Sequence, residues 1–307
     1  MTRFANDDPR CCTICPRACG ADRISGAGVC GGGSVPRIAR AALHLWEEPC
    51  ISGERGSGAV FFSGCSLGCL FCQNYDISAR RLGREVTPEE LAGIFARLEA
   101  EGAHNLNLVT PTHYAPQIAE ALELWQAGGG SLPVVWNSGG YESAETLREL
   151  EGLVDIYLPD LKYADPTLSL RLSGAADYFT AAASALTEMY RQTGPCVLDE
   201  DGLLRKGVLV RHLVLPGHAD DSIRVFEELS GLLPPDEILV SVMSQYTPPG
   251  AYGRDLPDLP PELRRRVTAE EYELVCDCVT ELGFTGFLQD PESADAAYTP
   301  EWNEVNG

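Results

Sequence analysis

From Ala59 onward, apolar runs that read as strands alternate with segments in which apolar residues recur at helical spacing. Ala59-Val-Phe-Phe-Ser63 is the first strand, β-branched and aromatic throughout. Further strands are expected at Asn105–Val109, Val134–Trp136, Val154–Leu158, Val208–Leu215 and Ile238–Met243, with an additional one at Phe287–Gln289. Amphipathic helices fall between them. Thr87-Pro-Glu-Glu90 supplies an N-cap, a proline at the first position and early acids, and Leu91, Ile94, Phe95 and Leu98 then share one face. Ala115–Ala127 and Ser143–Leu150 follow, and Thr268-Ala-Glu-Glu271 is a capping box ahead of Tyr272, Val275, Val279 and Leu282. Strands and helices in strict alternation predict an α/β domain with a parallel sheet. Six strand–helix units are too few to close an eight-stranded barrel. In such architectures chemistry gathers at the carboxyl ends of the strands, and Cys65, Thr110, Asn137, Asp160, Pro216 and Gln245 all fall just past those ends.

Residues 1–45 follow another pattern, rich in Cys and Gly with no helical period, and are expected to form a cysteine-rich element before a main domain spanning 46–307. The glycine-bearing stretch from His44-Leu-Trp-Glu-Glu-Pro49 to Gly58 lacks the Gly-Lys-Ser/Thr ending of a phosphate loop and reads as a connection. A formal net charge of −22 argues against nucleic acid and anionic membranes as partners. Apolar runs are too short to span a bilayer, and the start Met1-Thr-Arg-Phe-Ala-Asn-Asp-Asp8 lacks an apolar signal core, so a cytoplasmic protein is expected. Twelve cysteines in that setting point to metal or redox use rather than disulfides.

Three of them carry the strongest signal. Cys65, Cys69 and Cys72 lie in Phe61-Phe-Ser-Gly-Cys-Ser-Leu-Gly-Cys-Leu-Phe-Cys-Gln-Asn74, a C-x3-C-x2-C loop directly after a strand. A cubane cluster takes one thiolate per iron, so three leave one iron open to a small molecule. Structural zinc wants four ligands, and an odd count in one loop pairs badly as disulfides.

This stretch resembles the radical S-adenosylmethionine (AdoMet) enzymes, whose signature is C-x3-C-x-φ-C with an aromatic φ; Phe71 stands at that position. The longer phrase, with Tyr157-Leu-Pro-Asp-Leu-Lys162, Val210-Arg-His-Leu-Val-Leu-Pro-Gly217 and Gly283-Phe-Thr-Gly-Phe-Leu-Gln289, is similar to the subgroup around pyruvate formate-lyase activating enzyme. The resemblance covers roughly residues 40–290. It implies a partial (β/α)6 barrel, a [4Fe–4S] cluster on Cys65, Cys69 and Cys72, and AdoMet on the open iron, cleaved reductively to a 5′-deoxyadenosyl radical. It further implies that Lys162 meets the methionine carboxylate, Asp160 the ribose or a cation, and Phe71 the adenine. Asn137 and Ser138 stand where the activases carry Thr-Asn-Gly. Most of the family has Gly-Gly-Glu-Pro after the second strand. This chain has Val109-Thr-Pro-Thr-His-Tyr114, where the Thr110 and Thr112 hydroxyls are candidates for the same role and His113 reads as a solvated loop histidine. Gln245 and Tyr246 are weaker candidates, and Met243 reads as core.

The activity so implied is activation of a glycyl-radical enzyme by hydrogen abstraction from a glycine, in an anaerobic cell, with a flavodoxin- or ferredoxin-type reductant. The alternatives are radical modification of another peptide or small molecule and, outside enzymes, an iron–sulfur carrier or scaffold. Cys12, Cys15, Cys19 and Cys30, spaced C-x2-C-x3-C-x10-C, suit either a zinc knuckle or a second iron–sulfur cluster, with Cys11 blurring the register. Ordinary activases lack this element, so the chain resembles an offshoot of that subgroup.

Overall fold

The computed structural model describes residues 3–4 and 7–289. Seven parallel strands follow one another across the sheet in chain order: β2 (Ser57–Phe62), β4 (Leu106–Val109), β5 (Val134–Ser138), β6 (Ile156–Pro159), β8 (Leu204–Leu213), β9 (Leu239–Met243) and β10 (Thr285–Leu288). Every residue of β2, β4, β5 and β6 is buried, as a parallel sheet covered on both faces requires. The sheet does not close on itself. It ends beyond β2 in two antiparallel strands, β1 (Arg37–His44) and β3 (Arg84–Glu85), and at the other side in β10. A short strand, β7 (Val197–Leu198), pairs antiparallel with β8.

The expected partial barrel is present, and Phe287–Gln289 does lie at a seventh parallel strand. Two readings change. Residues 37–44, assigned from sequence to the cysteine-rich element, form β1 and pair with β2 from Ile38 opposite Phe62 to His44 opposite Ser57. Residues 44–58 hold a four-residue helix, α1 (Pro49–Ser52), and the first residues of β2. Residues 290–307 of the expected main domain lie outside the described residues.

The expected helices appear as α3 (Pro88–Ala100), α4 (Ala115–Ala127), α5 (Ala144–Glu149) and α9 (Ala269–Glu281), with reciprocal capping boxes at Thr87/Glu90 and Thr268/Glu271. Helices α2 (Tyr75–Ser78), α6 (Pro166–Ser173), α7 (Tyr178–Thr193) and α8 (Ala219–Leu232) escaped the sequence pattern. Helices α7 and α8 have no side-chain N-cap, so the local start signal was missing. Among the described residues no helix is long and apolar enough to cross a membrane.

Gly286 is where β10 depends on a missing side chain. Its φ is 150° and a Cβ there would sit 1.9 Å from the Val240 carbonyl oxygen. Gly286→Ala should therefore part β10 from β9 and destabilise the fold by more than about 1 kcal/mol. Chemical denaturation checks the loss, and amide exchange should localise it to residues 239–243 and 285–289.

Candidate active site

The carboxyl ends of the parallel strands open into one cavity of about 480 Å³. Cys65, Cys69 and Cys72 line it on the β2 side. Gly64 makes the turn out of β2 at φ 95°, where a Cβ would lie 2.6 Å from the Cys30 carbonyl. The Leu67 amide donates to Cys65 Sγ (3.4 Å), Ser173 Oγ donates to Cys69 Sγ (3.0 Å), and Cys72 Sγ lies 3.4 Å from Ser78 Oγ. Burial raises the Cys65 and Cys72 thiols above their ordinary range, so they carry protons that metal binding must displace. Among the described residues no three His, Cys, Asp or Glu side chains converge as a single ion would require. A cubane takes one thiolate per iron, and the loop supplies three.

The Asp160–Lys162 pair lines the same cavity, with Nζ 2.5 Å from Oδ2 and the side chains 26 % and 17 % exposed. Burial disfavours the ammonium, but the Asp160 carboxylate and the Cys69 sulfur outweigh it and hold Lys162 above its ordinary pKa. The loop carrying this pair is fixed from two sides. The Tyr178 hydroxyl accepts from the Lys162 amide (3.0 Å), and its hydrogen faces the carbonyls of Gly139 (2.9 Å) and Asp160 (2.8 Å). His212 Nδ1 lies 2.6 Å from the Leu161 carbonyl and its Nε2 lies 2.9 Å from Ser222 Oγ.

Phe71, Thr110, Asn137, Ser138, Gln245 and Tyr246 also reach the cavity wall, as the sequence suggested. Phe71 meets the Tyr163 and Tyr246 rings edge-on at 6.5 and 6.1 Å. Thr110 holds φ 58°, a strained backbone for a β-branched residue, at the end of β4. Three readings are corrected. Thr112 is buried away from the cavity with its hydroxyl on Glu142, because the chain after Pro111 enters a 3-10 turn. His113 is not solvated: it is 2 % exposed, bonded through Nε2 to the Ser63 carbonyl (2.9 Å) and packed on Tyr114 at 4.2 Å. Met243 lines the cavity instead of sitting in the core.

Sequence reasoning missed a charged group that begins at the residue bridged to Asp160 in the sheet. Arg211 bridges Glu47 and Glu48, its Nε 2.8 Å from Glu48 Oε1, and Asn107 Nδ2 donates to Glu47 at 2.8 Å. Burial opposes charge on Glu48, yet the Arg211 guanidinium holds its carboxyl below the ordinary range. The signal was Trp46-Glu-Glu48 in a stretch read as a connection, opposite Arg211 of the Val-Arg-His-Leu phrase.

The Radical SAM superfamily profile matches residues 59–229, over half of the chain. The chain belongs to the radical SAM superfamily. It is 31 % identical over 277 residues to the uncharacterized protein MJ0674 of Methanocaldococcus jannaschii, covering 85 % of this chain and 72 % of that one. Similar solved structures include Streptococcus suis SuiB bound to its precursor peptide SuiA (13 % identical, TM-score 0.49) and Escherichia coli QueE (12 % identical, TM-score 0.44). The match covers 74 % of this chain and 46 % of SuiB, and 83 % of this chain and 94 % of QueE. Membership makes the chain an enzyme of a family that uses a [4Fe–4S] cluster and AdoMet, and it places the chain in the superfamily without fixing a subgroup.

Two buried histidines add to the acid sensitivity of this scaffold. Burial lowers both His113 and His212 to a pKa of about 4. The unfolded chain takes up their protons below pH ~6.5, while the folded chain resists until about 4. Stability should hold above neutrality and fall between those limits, each histidine adding up to about 1.4 kcal/mol per pH unit. Denaturation midpoints measured across this window check the sign, and His212→Asn should flatten the slope.

Proposed function

We propose that Cys65, Cys69 and Cys72 hold the family's [4Fe–4S] cluster and that the cavity beside them binds AdoMet for hydrogen abstraction from a protein substrate. The observation that carries this is the Asp160–Lys162 pair, lining the same cavity as the three thiols and largely shielded from solvent. An iron–sulfur carrier has no use for such a pocket. When bound, the cluster and AdoMet supply an electron and a sulfonium whose cleavage gives methionine and a 5′-deoxyadenosyl radical.

The chain's own residues bind, orient and exclude water. The Lys162 ammonium, kept charged by Asp160 and free to turn toward a second carboxylate, takes the methionine carboxylate. Asp160 keeps one oxygen for the ribose or a cation. Thr110, Asn137 and Ser138 offer polar groups at neighbouring strand ends, and Phe71 gives an aromatic edge for adenine. Thr112 has no part in this reading, since its hydroxyl is spent on Glu142.

For the substrate, the leading reading is a glycine in a partner glycyl-radical enzyme, served by an external flavodoxin- or ferredoxin-type donor. It rests on the activase-like phrases around Cys65, Asp160 and Arg211, and on Trp46, 61 % exposed at the cavity rim, as an apolar contact for a macromolecule. A second reading is radical modification of another peptide or small molecule. The Glu47–Arg211–Glu48 group favours it, because such a charged wall inside the cavity can select a polar ligand.

Two measurements bear on this directly. Cys69→Ala, reconstituted without oxygen, should make no 5′-deoxyadenosine on reduction with AdoMet; product at the parent rate would sink the cluster assignment. Lys162→Ala should weaken AdoMet binding by roughly 1.5–3 kcal/mol, read from the electron paramagnetic resonance change of the reduced cluster. For the substrate, a glycyl doublet in the spectrum of a glycyl-radical enzyme incubated with this protein supports the leading reading. Uncoupled 5′-deoxyadenosine formation without a doublet favours the second.

A further inference from the structure

Outside the cavity, a second set of sulfurs shares the local geometry of the cluster cysteines. Residues 7–36 contain no helix or strand, yet Cys12, Cys15 and Cys30 are buried there and Cys19 is partly so. The four are neighbours. Cys19 lies near Cys12, and Cys15 near both Cys12 and Cys30. A Cβ placed on Gly28 would touch Cys30 Sγ at 3.4 Å and Cys19 Sγ at 3.5 Å. Cys11 is exposed.

The Gly32 amide, two residues beyond Cys30, donates to Cys30 Sγ at 3.4 Å, just as the Leu67 amide, two residues beyond Cys65, donates to Cys65 Sγ at 3.4 Å. Left-handed backbone at Ala18 (φ 38°), Gly20 (φ 63°) and Gly31 (φ 81°) makes the bends.

A buried cation lies beside them. Arg23 is 3 % exposed, with Nη1 3.9 Å from Cys12 Sγ and Nη2 on the Gly33 carbonyl, and its Nε has no hydrogen-bond partner. Its guanidinium lies over the Tyr114 ring at 5.5 Å and its charge reaches Asp7, and among the described residues it forms no salt bridge. Four thiolates around a metal would add a net negative charge beside it.

The set is tied to the catalytic loop. The Cys65 amide donates to the Cys30 carbonyl at 3.0 Å. Arg17, between Cys15 and Cys19, donates from Nε to the Ser66 carbonyl (2.8 Å) and from Nη2 to the Ser173 carbonyl (3.0 Å), and Ser173 is the residue whose hydroxyl bonds Cys69.

We propose that Cys12, Cys15, Cys19 and Cys30 bind a thiophilic metal centre, as a zinc ion or an iron–sulfur cluster, which clamps the loop carrying Cys65 and Cys69. Neither cysteine set converges tightly enough for a single ion. Zinc therefore requires the four sulfurs to close, whereas a cluster spans more widely set thiolates, one per iron.

The test reads metal per chain and so is separate from AdoMet cleavage and from the identity of the substrate. Full-length protein with Cys65, Cys69 and Cys72 all changed to alanine should keep metal after anaerobic purification. Zinc at roughly one per chain identifies the ion, and iron with matching acid-labile sulfide, roughly four of each, identifies a cluster. Adding Cys15→Ser and Cys30→Ser should remove that metal, whereas Cys11→Ser should not. With the catalytic cysteines intact, Cys19→Ser should speed amide exchange at residues 64–67 about tenfold. A triple-alanine protein that holds neither metal overturns the proposal, as does metal that survives Cys15→Ser/Cys30→Ser; unchanged exchange overturns the clamp. Should those variants fail to fold, the unaltered protein decides. Roughly four irons with zinc, or roughly eight irons, supports a second centre, and four irons alone overturns it.

Discussion

The Tyr178 hydroxyl holds the functional face together. It lies between two strand-end loops, one leaving β5 at Gly139 and one leaving β6 at Asp160, and bonds backbone groups of both. Gly140 lets the loops approach so closely: its φ is 76°, and a Cβ would sit 2.0 Å from the Asp160 carbonyl. The hydroxyl is buried with its ring packed between Tyr141 and Tyr163, so its bonds work in a medium of low dielectric and cannot be exchanged cheaply for water. Lys162 and Asp160 inherit their position from this lock. The acid and amine chemistry of the cavity is thus set by a phenol that never touches it.

This explains which parts of the molecule could be read from the chain. Strand ends, the cysteine loop and the Asp-Leu-Lys phrase are local, and spacing alone puts their polar groups on one face. Tyr178 is not local. It begins a helix with no side-chain cap, and its partners lie 16 to 39 residues away, so no periodic pattern marks it. The same holds for β1, whose Arg37-Ile-Ala-Arg40 start reads as loop until its pairing with β2 is seen. Thr112 and His113 misled for the opposite reason. A polar residue after a strand suggests the cavity, but Pro111 turns the chain and buries both, Thr112 on Glu142 and His113 against the cysteine-rich segment.

Charge placement follows one rule inside an acidic protein. The net charge of −22 is carried on the surface, while the cavity admits carboxylates only with a cation attached, Asp160 on Lys162 and both Glu47 and Glu48 on Arg211. Removing Arg211 would leave two buried carboxylates uncompensated, which costs about 3–5 kcal/mol, whereas Asp160, a quarter exposed, would suffer less from the loss of Lys162. A ligand bearing its own carboxylate can therefore enter beside Lys162 by sharing a cation already in place. One with a bare anion has no such welcome at the Arg211 end, where two carboxylates already surround the guanidinium.

The cysteine-rich segment makes sense in the same terms. Residues 7–36 have no sheet or helix to satisfy their backbone, and they lie over the point where β2 delivers Cys65. β1 and β4 flank β2 as far as its last residues, and the segment takes over just beyond them, through the Cys30 carbonyl on the Cys65 amide and the Gly32 backbone against His113. His113 then passes the contact to the Ser63 carbonyl, two residues before the first cluster thiol. The end of β2 is therefore held from both directions of the chain, by Cys30 before it and by Ile77 and His113 after it, whereas Asp160 and Lys162 are held by Tyr178 and His212. The two supports meet, because Arg17 of the cysteine-rich segment lies over the Tyr141 ring (5.3 Å) and that ring stacks on Tyr178, so disorder in the segment should reach Cys65 directly and the Asp160–Lys162 loop through Tyr141.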